Sequence, residues 1–395
     1  MEETALSHDG VTIHLIDTND KLQWATGQLK NSTQVALDLE FDQNRFSYGF
    51  NLCLIQLTSG DGVCYIIDPF DITDLRPVFE IIENPSITKI IHHSNNDILL
   101  LDKLGCNIRG VLDTDVAAKL LNYEKSSLAT VLKEEFNIEI DKSQQSSNWN
   151  KRPLTNDQLI YAAIDVIYLP RVKDKLVNEI TASGRLHWLE EENFLLEKLR
   201  FNEPENPHLR LKNAFRLTIY QQFILKDLYR FREKLGREFN KPAHFVIPNE
   251  ALVDLACNIP LDIHEWLNHT RGIHSRLKKP AYEKQLKTVI DQAIQKALDE
   301  NIGHGFTTNQ YKRPLKTAET EQRKEDLTKI QALIIDKYGL YTSRLIMNQN
   351  LIMEYSYTGK LRCIKQYATD VLFKAAAELG ITLPAPEMYV PSVNK

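Results

Sequence analysis

Residues 35–41 read Val-Ala-Leu-Asp-Leu-Glu-Phe, and no other run constrains the chain as tightly. A period of two puts Val35, Leu37, Leu39 and Phe41 on one face of a strand and Asp38 with Glu40 on the other. Two carboxylates thus project from one side of an otherwise apolar strand, where an unpaired buried acid costs several kcal/mol unless a cation compensates. Two further acids are candidates to join them. Asp97 falls in the first turn of an expected helix. Asp165 follows Tyr161 by four positions, so both lie on one helix face. Singly these residues are unremarkable: Asp-x-Glu is common, Asp97 suits a helix N-terminus, and Asp165 could be an ion-pair partner. Together they offer hard oxygen ligands for two divalent cations, Mg²⁺ or Mn²⁺. A pair of such ions roughly 3.5–4 Å apart can clamp both reacting oxygens of a phosphodiester.

The first ~200 residues alternate strand-like and helix-like runs. Leu52–Leu57 and Val63–Asp68 are apolar runs joined by Ser59-Gly60-Asp61-Gly62, a hairpin signal. Leu75–Ile82 is amphipathic, and Lys89-Ile90-Ile91-His92-His93 reads as a buried strand. Ser94 is the expected N-cap of a helix closed by Gly105, and a further helix is expected at Ser127–Phe136. Ser143–Asn150 is polar and reads as a mobile loop. Thr155-Asn156-Asp157-Gln158 then forms a capping box, with Leu154 and Leu159 as a hydrophobic staple, and opens the helix carrying Tyr161 and Asp165. Pro170 ends or kinks that helix. Alternating elements with leading hairpins predict an α/β domain on a mixed sheet.

Glu203-Pro204-Glu205-Asn206-Pro207 breaks any helix and marks a linker. Beyond it the pattern is helical at Tyr220–Glu238, Asn249–Ala256, Asp262–Asn268 and Tyr282–Asp299. Residues 303–317 read as a second linker, 318–380 as helical again, and the tail from Pro384 as poorly ordered. A chain of 395 residues is long enough for two or three domains. We therefore divide it into 1–205, 206–302 and 303–395.

Net charge is −5, yet residues 208–300 hold 16 Lys+Arg against 11 Asp+Glu. A local basic excess is what phosphate attraction requires, although a solvated helical surface gives the same count. The five cysteines lack Cys-x-x-Cys or zinc spacing, so neither a disulfide frame nor a zinc site is signalled. The acidic start and the lack of any apolar run near ~20 residues predict a cytosolic protein with no membrane association.

The acids and their surroundings resemble the DEDD superfamily of 3′–5′ exonucleases, in the subgroup with Tyr in the last motif. Residues 35–41 resemble its first motif, Leu54-Ile55-Gln56-Leu57 the strand that follows, and Lys89 through Asp97 the second motif. Asp113-Thr114, and Trp149-Asn150-Lys151-Arg152-Pro153-Leu154 leading into residues 158–166, resemble the ribonuclease D branch in particular. Leu228-Tyr229-Arg230-Phe231-Arg232-Glu233, Pro242, Phe245-Val246-Ile247-Pro248 and Leu252–Pro260 resemble an HRDC module, a small helical nucleic-acid-binding domain. One departure is His93, where relatives often show Ala or Gly.

The resemblance implies a ribonuclease H-like α/β exonuclease domain, an all-α HRDC domain and a second, divergent HRDC-like helical domain. It implies that Asp38, Glu40 and Asp165 share one metal, that Asp38 bridges to a second, and that Asp97 reaches the second through water. Tyr161 would orient the attacking water, since a phenol of pKa near 10 is a poor base. The expected partner is RNA at its 3′ end, such as tRNA precursors, with DNA possible and no protein partner implied. The rival readings are a 3′–5′ DNA exonuclease and a noncatalytic RNA-binding adaptor.

The remaining nucleic-acid candidates are softer. Phe41 could stack on a terminal base, although a Phe ending a strand is more often core. His92 reads more readily as a core histidine, and Lys151 and Arg152 as phosphate contacts or solvated surface. Arg230, Arg232 and Arg237 recur at helical spacing and could form one basic face. Truncation near Asn206 is expected to spare hydrolysis of short oligomers.

Overall fold

A computed structural model describes residues 6–306 and 317–388. Two compact units emerge, the first from residues 6–40, 52–201 and 317–388, the second from 41–51 and 202–306. No helix among the described residues is long and apolar enough to cross a membrane.

Up to residue 201 the elements run β1 (Leu6–His8), β2 (Val11–Ile16), α1 (Asn19–Leu29), β3 (Gln34–Gln43), β4 (Phe50–Thr58), β5 (Val63–Ile67), α2 (Arg76–Glu83), β6 (Thr88–Ile91), α3 (Asn95–Lys103), β7 (Val111–Asp113), α4 (Thr114–Leu120), α5 (Leu128–Phe136), α6 (Asn156–Ile167), α7 (Leu169–Ala182) and α8 (Leu186–Leu196). The sheet order is β1-β2-β5-β4-β3-β6-β7. β4 pairs antiparallel with β5, whereas β3 with β6 and β6 with β7 are parallel, which is the mixed sheet expected. Strands β1 and β2 were not anticipated: β1, at the sheet edge, has only three residues, and β2, apolar at Val11, Ile13 and Leu15, lies between β1 and β5 and pairs with both.

Local signals placed most elements well. Gly60 and Gly62 take φ of +88° and +89° in the β4–β5 turn, conformations a side chain would strain. Thr155 and Gln158 make both bonds of the capping box at α6, which stops at Ile167, and Pro170 sits in the first turn of α7. Two expectations are corrected. The strand ends at Ile91, leaving His92 and His93 beyond it, and His93 has φ +64°. Ser94 precedes α3 without capping it, because its hydroxyl donates to Asp113 Oδ2 (2.7 Å).

The second unit contains α9 (Ile219–Phe239), α10 (Ala243–Val246), α11 (Asn249–Cys257), α12 (Ile263–His269) and α13 (Pro280–Asp299). Leu225, Leu228, Leu235, Leu252, Leu286 and Ile290 fill its core. Residues 41–51 belong here: the Tyr48 hydroxyl donates to Glu233 (3.1 Å), and its amide to Asn240 Oδ1 (3.3 Å). A Cβ on Gly236 would come within 2.9 Å of the Tyr48 ring, so α9 is bare where the ring approaches.

The last stretch holds α14 (Ala318–Tyr338), α15 (Leu340–Ile346), α16 (Gln349–Thr358), β8 (Arg362–Cys363), α17 (Gln366–Glu378) and β9 (Glu387–Met388), with β8 and β9 paired. Of the tail from Pro384, residues 389–395 lie outside the described residues, as do 307–316 of the expected second linker. The expected separate third domain is not what forms. Ile330, Ile334, Tyr367 and Leu372 share one core with Trp188, Leu189 and the helices of the first unit. Trp188 stacks on Tyr367 at 4.8 Å. Glu192 accepts from Lys365 Nζ (2.5 Å) and from the Tyr367 hydroxyl. The sequence concealed this because the apolar stripes of α8 and α17 say that each is covered, but not by what. A chain cut near Asn206 therefore loses part of the first unit's core.

Candidate active site

β3 delivers Asp38 and Glu40 to one side of the sheet, while Val35, Leu37 and Leu39 are buried on the other. α6, started by its capping box, brings Tyr161 and Asp165 to the same place. One carboxylate oxygen from each of Asp38, Glu40 and Asp165 lies within 4.8 Å of the others, and this is the only such acid, His or Cys group among the described residues. The three acids and Tyr161 line a cavity of about 510 Å³ with His92, His93, Asp115, Lys119, Lys142 and Gln145.

Asp97 is in the first turn of α3, 6% exposed, and is neither in the trio nor among the cavity-lining residues. Its helix is set by Asp113, whose carboxylate accepts from the amides of His93 (3.0 Å) and Ser94 (2.8 Å) and from those of Asp115 and Val116. One buried acid thus caps α4 and steers the start of α3.

The electrostatics are those of four acids raised by burial and by repulsion within the cluster. Burial, then repulsion from Asp165, Asp97 and Glu40, holds Asp38 well above the usual carboxylate range. Glu40 is raised by burial and by Asp165 and Asp97. Burial lifts Asp97 to about 8, and lifts Asp165 to about 7 against a hydrogen bond from Tyr161 that lowers it. Burial, then repulsion from Asp165, Glu40 and Asp38, pushes the Tyr161 phenol up, so it stays protonated and acts as an O–H donor. Three converging hard oxygen donors with no cationic side chain among them fit a divalent cation.

The sign of the pH effect follows. Unfolded, these acids titrate near ~4, so between about pH 4 and 8 the folded state binds more protons than the unfolded one. Their contribution to stability is therefore present at low pH and lost as pH rises through the folded values. Chelator-treated protein should lose thermal stability from about pH 5 to 8, and the gain in Tm on adding millimolar Mn²⁺ should grow over that range. A gain independent of pH would show that the acids do not bind the ion.

The other candidates separate by burial. His92 lines the cavity, with Nδ1 2.9 Å from Thr114 Oγ1, and burial lowers its pKa. Phe41 packs edge-on against Phe50 at 5.2 Å within the second unit. Lys151 is exposed. Arg152 is corrected: its guanidinium grips Asp68 and donates to the carbonyls of Trp149 (2.7 Å), Lys151 (2.8 Å) and Cys53 (3.0 Å), so it braces the loop. Arg232 is corrected too. It is 3% exposed and donates to Ile247 O (3.2 Å) and Asn249 Oδ1 (2.7 Å), because its position on α9 faces the core. Arg230 and Arg237 are exposed, Arg230 beside Asp227 (3.5 Å) and Arg237 over the Tyr48 ring. The sequence reading missed Asp115, Lys119, Lys142 and Gln145 as cavity residues. The polarity of the 143–150 loop and the Asp-Thr start of α4 were the signals available.

A mixed sheet with three metal-competent carboxylates on one strand and one helix suits metal-dependent phosphodiester chemistry, and comparison with known proteins narrows the class. A family model described as a 3′–5′ exonuclease matches residues 13–181. Ribonuclease D of Bartonella henselae is 32% identical over 301 residues, covering 74% of this chain and 73% of that protein. Exosome complex exonuclease RRP6 of Saccharomyces cerevisiae is 28% identical over 94% of this chain, which spans only 50% of the yeast protein's length. The fold matches that of Escherichia coli RNase D with a TM-score of 0.71, at 24% identity over 93% of this chain and 99% of that one. The chain belongs to the ribonuclease D family.

Proposed function

We propose that the protein is a metal-dependent 3′–5′ exoribonuclease that releases nucleoside 5′-monophosphates. The observation that carries this reading is the convergence of Asp38, Glu40 and Asp165 within 4.8 Å, beside the Tyr161 hydroxyl. These three would hold one cation, and Asp97 is the remaining acid to serve a second. Bound there, divalent cations supply Lewis-acid stabilisation of the phosphodiester and lower the pKa of water. Tyr161, kept protonated, holds the attacking water by its hydroxyl rather than removing its proton. Glu40 accepts from the terminal 3′-hydroxyl, which restricts cutting to chain ends. Escherichia coli RNase D is an exoribonuclease involved in structured RNA processing, and we extend that substrate class, including tRNA precursors, to this chain. Matched RNA and DNA oligomers in direct competition test the choice: preferential shortening of RNA from its 3′ end is expected, and equal shortening of both would replace it with a general exonuclease.

The second unit fits an HRDC module that grips RNA. A groove of about 490 Å³ between α9 and α13 is lined by Arg230, Lys234, Lys284 and Lys296, with Asp227 the only acid. Lys234→Glu with Lys284→Glu should weaken binding of long RNA and reduce the slope of log K against log salt by ~2, with short-oligomer hydrolysis retained. An unchanged slope would mean that the groove does not meet phosphate.

A further inference from the structure

His93 occupies a position that its backbone makes unfavourable for any side chain. Its φ of +64° is in the left-handed region, which non-glycine residues seldom adopt. The surroundings fix it firmly. Its amide donates to Asp113 Oδ1 (3.0 Å) and that of Ser94 to Asp113 Oδ2 (2.8 Å). The ring is held by Nδ1 at 3.2 Å from Asp115 Oδ2, an oxygen that also takes Lys119 Nζ (2.5 Å). Asp115 and Lys119 line the cavity that holds the acid trio, and so does His93, whose side chain remains 65% exposed. With Nδ1 engaged, Nε2 is left with no protein partner among the described residues.

The geometry points to a phosphate subsite. We propose that His93 donates from Nε2 to a non-bridging oxygen of the bound RNA strand, at the phosphate next to the scissile one, and that Asp115 is the positioning residue that orients the ring. The proposal rests on the exoribonuclease reading above. Its chemistry is that of the cavity's composition. The floor is carboxylate and repels phosphate where no cation lies between, so a strand leaving the trio needs donors on the wall. His93, Lys119 and Lys142 supply cationic or donor groups there against one acid, Asp115. The hydrogen bond to Asp115 raises the His93 pKa, which favours the doubly protonated ring with an Nε2–H donor. Burial alone would raise Asp115, but the bonds from His93 and Lys119 outweigh it and keep the carboxyl ionised. A donor whose backbone and ring are both fixed before substrate arrives loses little freedom on binding.

The test compares wild type with His93→Gly, which removes the ring and suits φ +64°, on a single-stranded RNA and on the same RNA with single methylphosphonate linkages. Loss of a charge-assisted hydrogen bond should raise KM ~10-fold in His93→Gly with kcat within about twofold. Neutralising the phosphate next to the scissile bond should raise KM ~10-fold in wild type but add little in His93→Gly. Asp115→Asn should raise KM less, and not further in the His93→Gly background. An unchanged KM in His93→Gly, or equal sensitivity of both proteins to every methylphosphonate, overturns the subsite. If wild type cuts RNA and His93→Gly matches it, only this inference falls; if wild type leaves RNA intact, the exoribonuclease reading falls with it.

Discussion

Asp38→Asn should leave a labelled single-stranded RNA uncut in Mn²⁺, with a rate at least ~10³-fold below wild type, because several kcal/mol of transition-state stabilisation depend on that carboxylate. Binding of the same RNA should survive, since the groove of the second unit and the cavity wall are untouched. The variant should also be more thermally stable than wild type in chelator. Asp38 is raised by burial and by three neighbouring acids, so replacing it with a neutral amide relieves repulsion that only a cation otherwise offsets. Lost activity combined with raised metal-free stability is a signature that a general folding defect cannot give. If mutant and wild type both bind RNA and neither cuts it, the noncatalytic adaptor is the correct reading.

Removing residues 317–388 should unfold or strongly destabilise the first unit, lowering its Tm by ~10 °C or more. The deletion uncovers Trp188 and Leu189, 6% and 1% exposed in the intact chain. It also strips Glu192 of Lys365 and Tyr367, and takes the Thr342 hydroxyl from the carbonyls of Lys119 (3.0 Å) and Leu120 (3.2 Å). Uncovering a buried Trp and its neighbours costs several kcal/mol at ~25 cal/mol per Å². Glu192→Ala is the milder form of the same test. It leaves the buried Tyr367 hydroxyl without its acceptor and Lys365 with only the Leu345 carbonyl (3.1 Å), and should cost about 3 kcal/mol in the full chain. An unaltered Tm after the deletion would mean that the C-terminal helices fold as the independent domain their sequence suggested.

Much of the site was legible because short-range periodicity encodes it. Alternation over seven residues put Asp38 and Glu40 on one face, and a four-residue interval put Tyr161 beside Asp165. Thr155 and Gln158 fixed where that helix begins. His93 was visible only as a departure from the motif the sequence resembles; its positive φ and its ties to Asp113 and Asp115 join residues about twenty apart, beyond any local pattern.

The sequence by itself determined the α/β alternation, the paired acids and the helical second half, since propensity, capping and period act within one or two turns of chain. Only the tertiary structure decided which residue of a face meets what. It set Asp97 apart from the three-acid group and turned Arg152 and Arg232 inward to carbonyls and carboxylates. It also placed residues 317–388 on α8, more than a hundred residues earlier. The physical reason is the same in each case: an apolar stripe or a charge states that a group needs a partner, and the identity of the partner is settled by long-range packing.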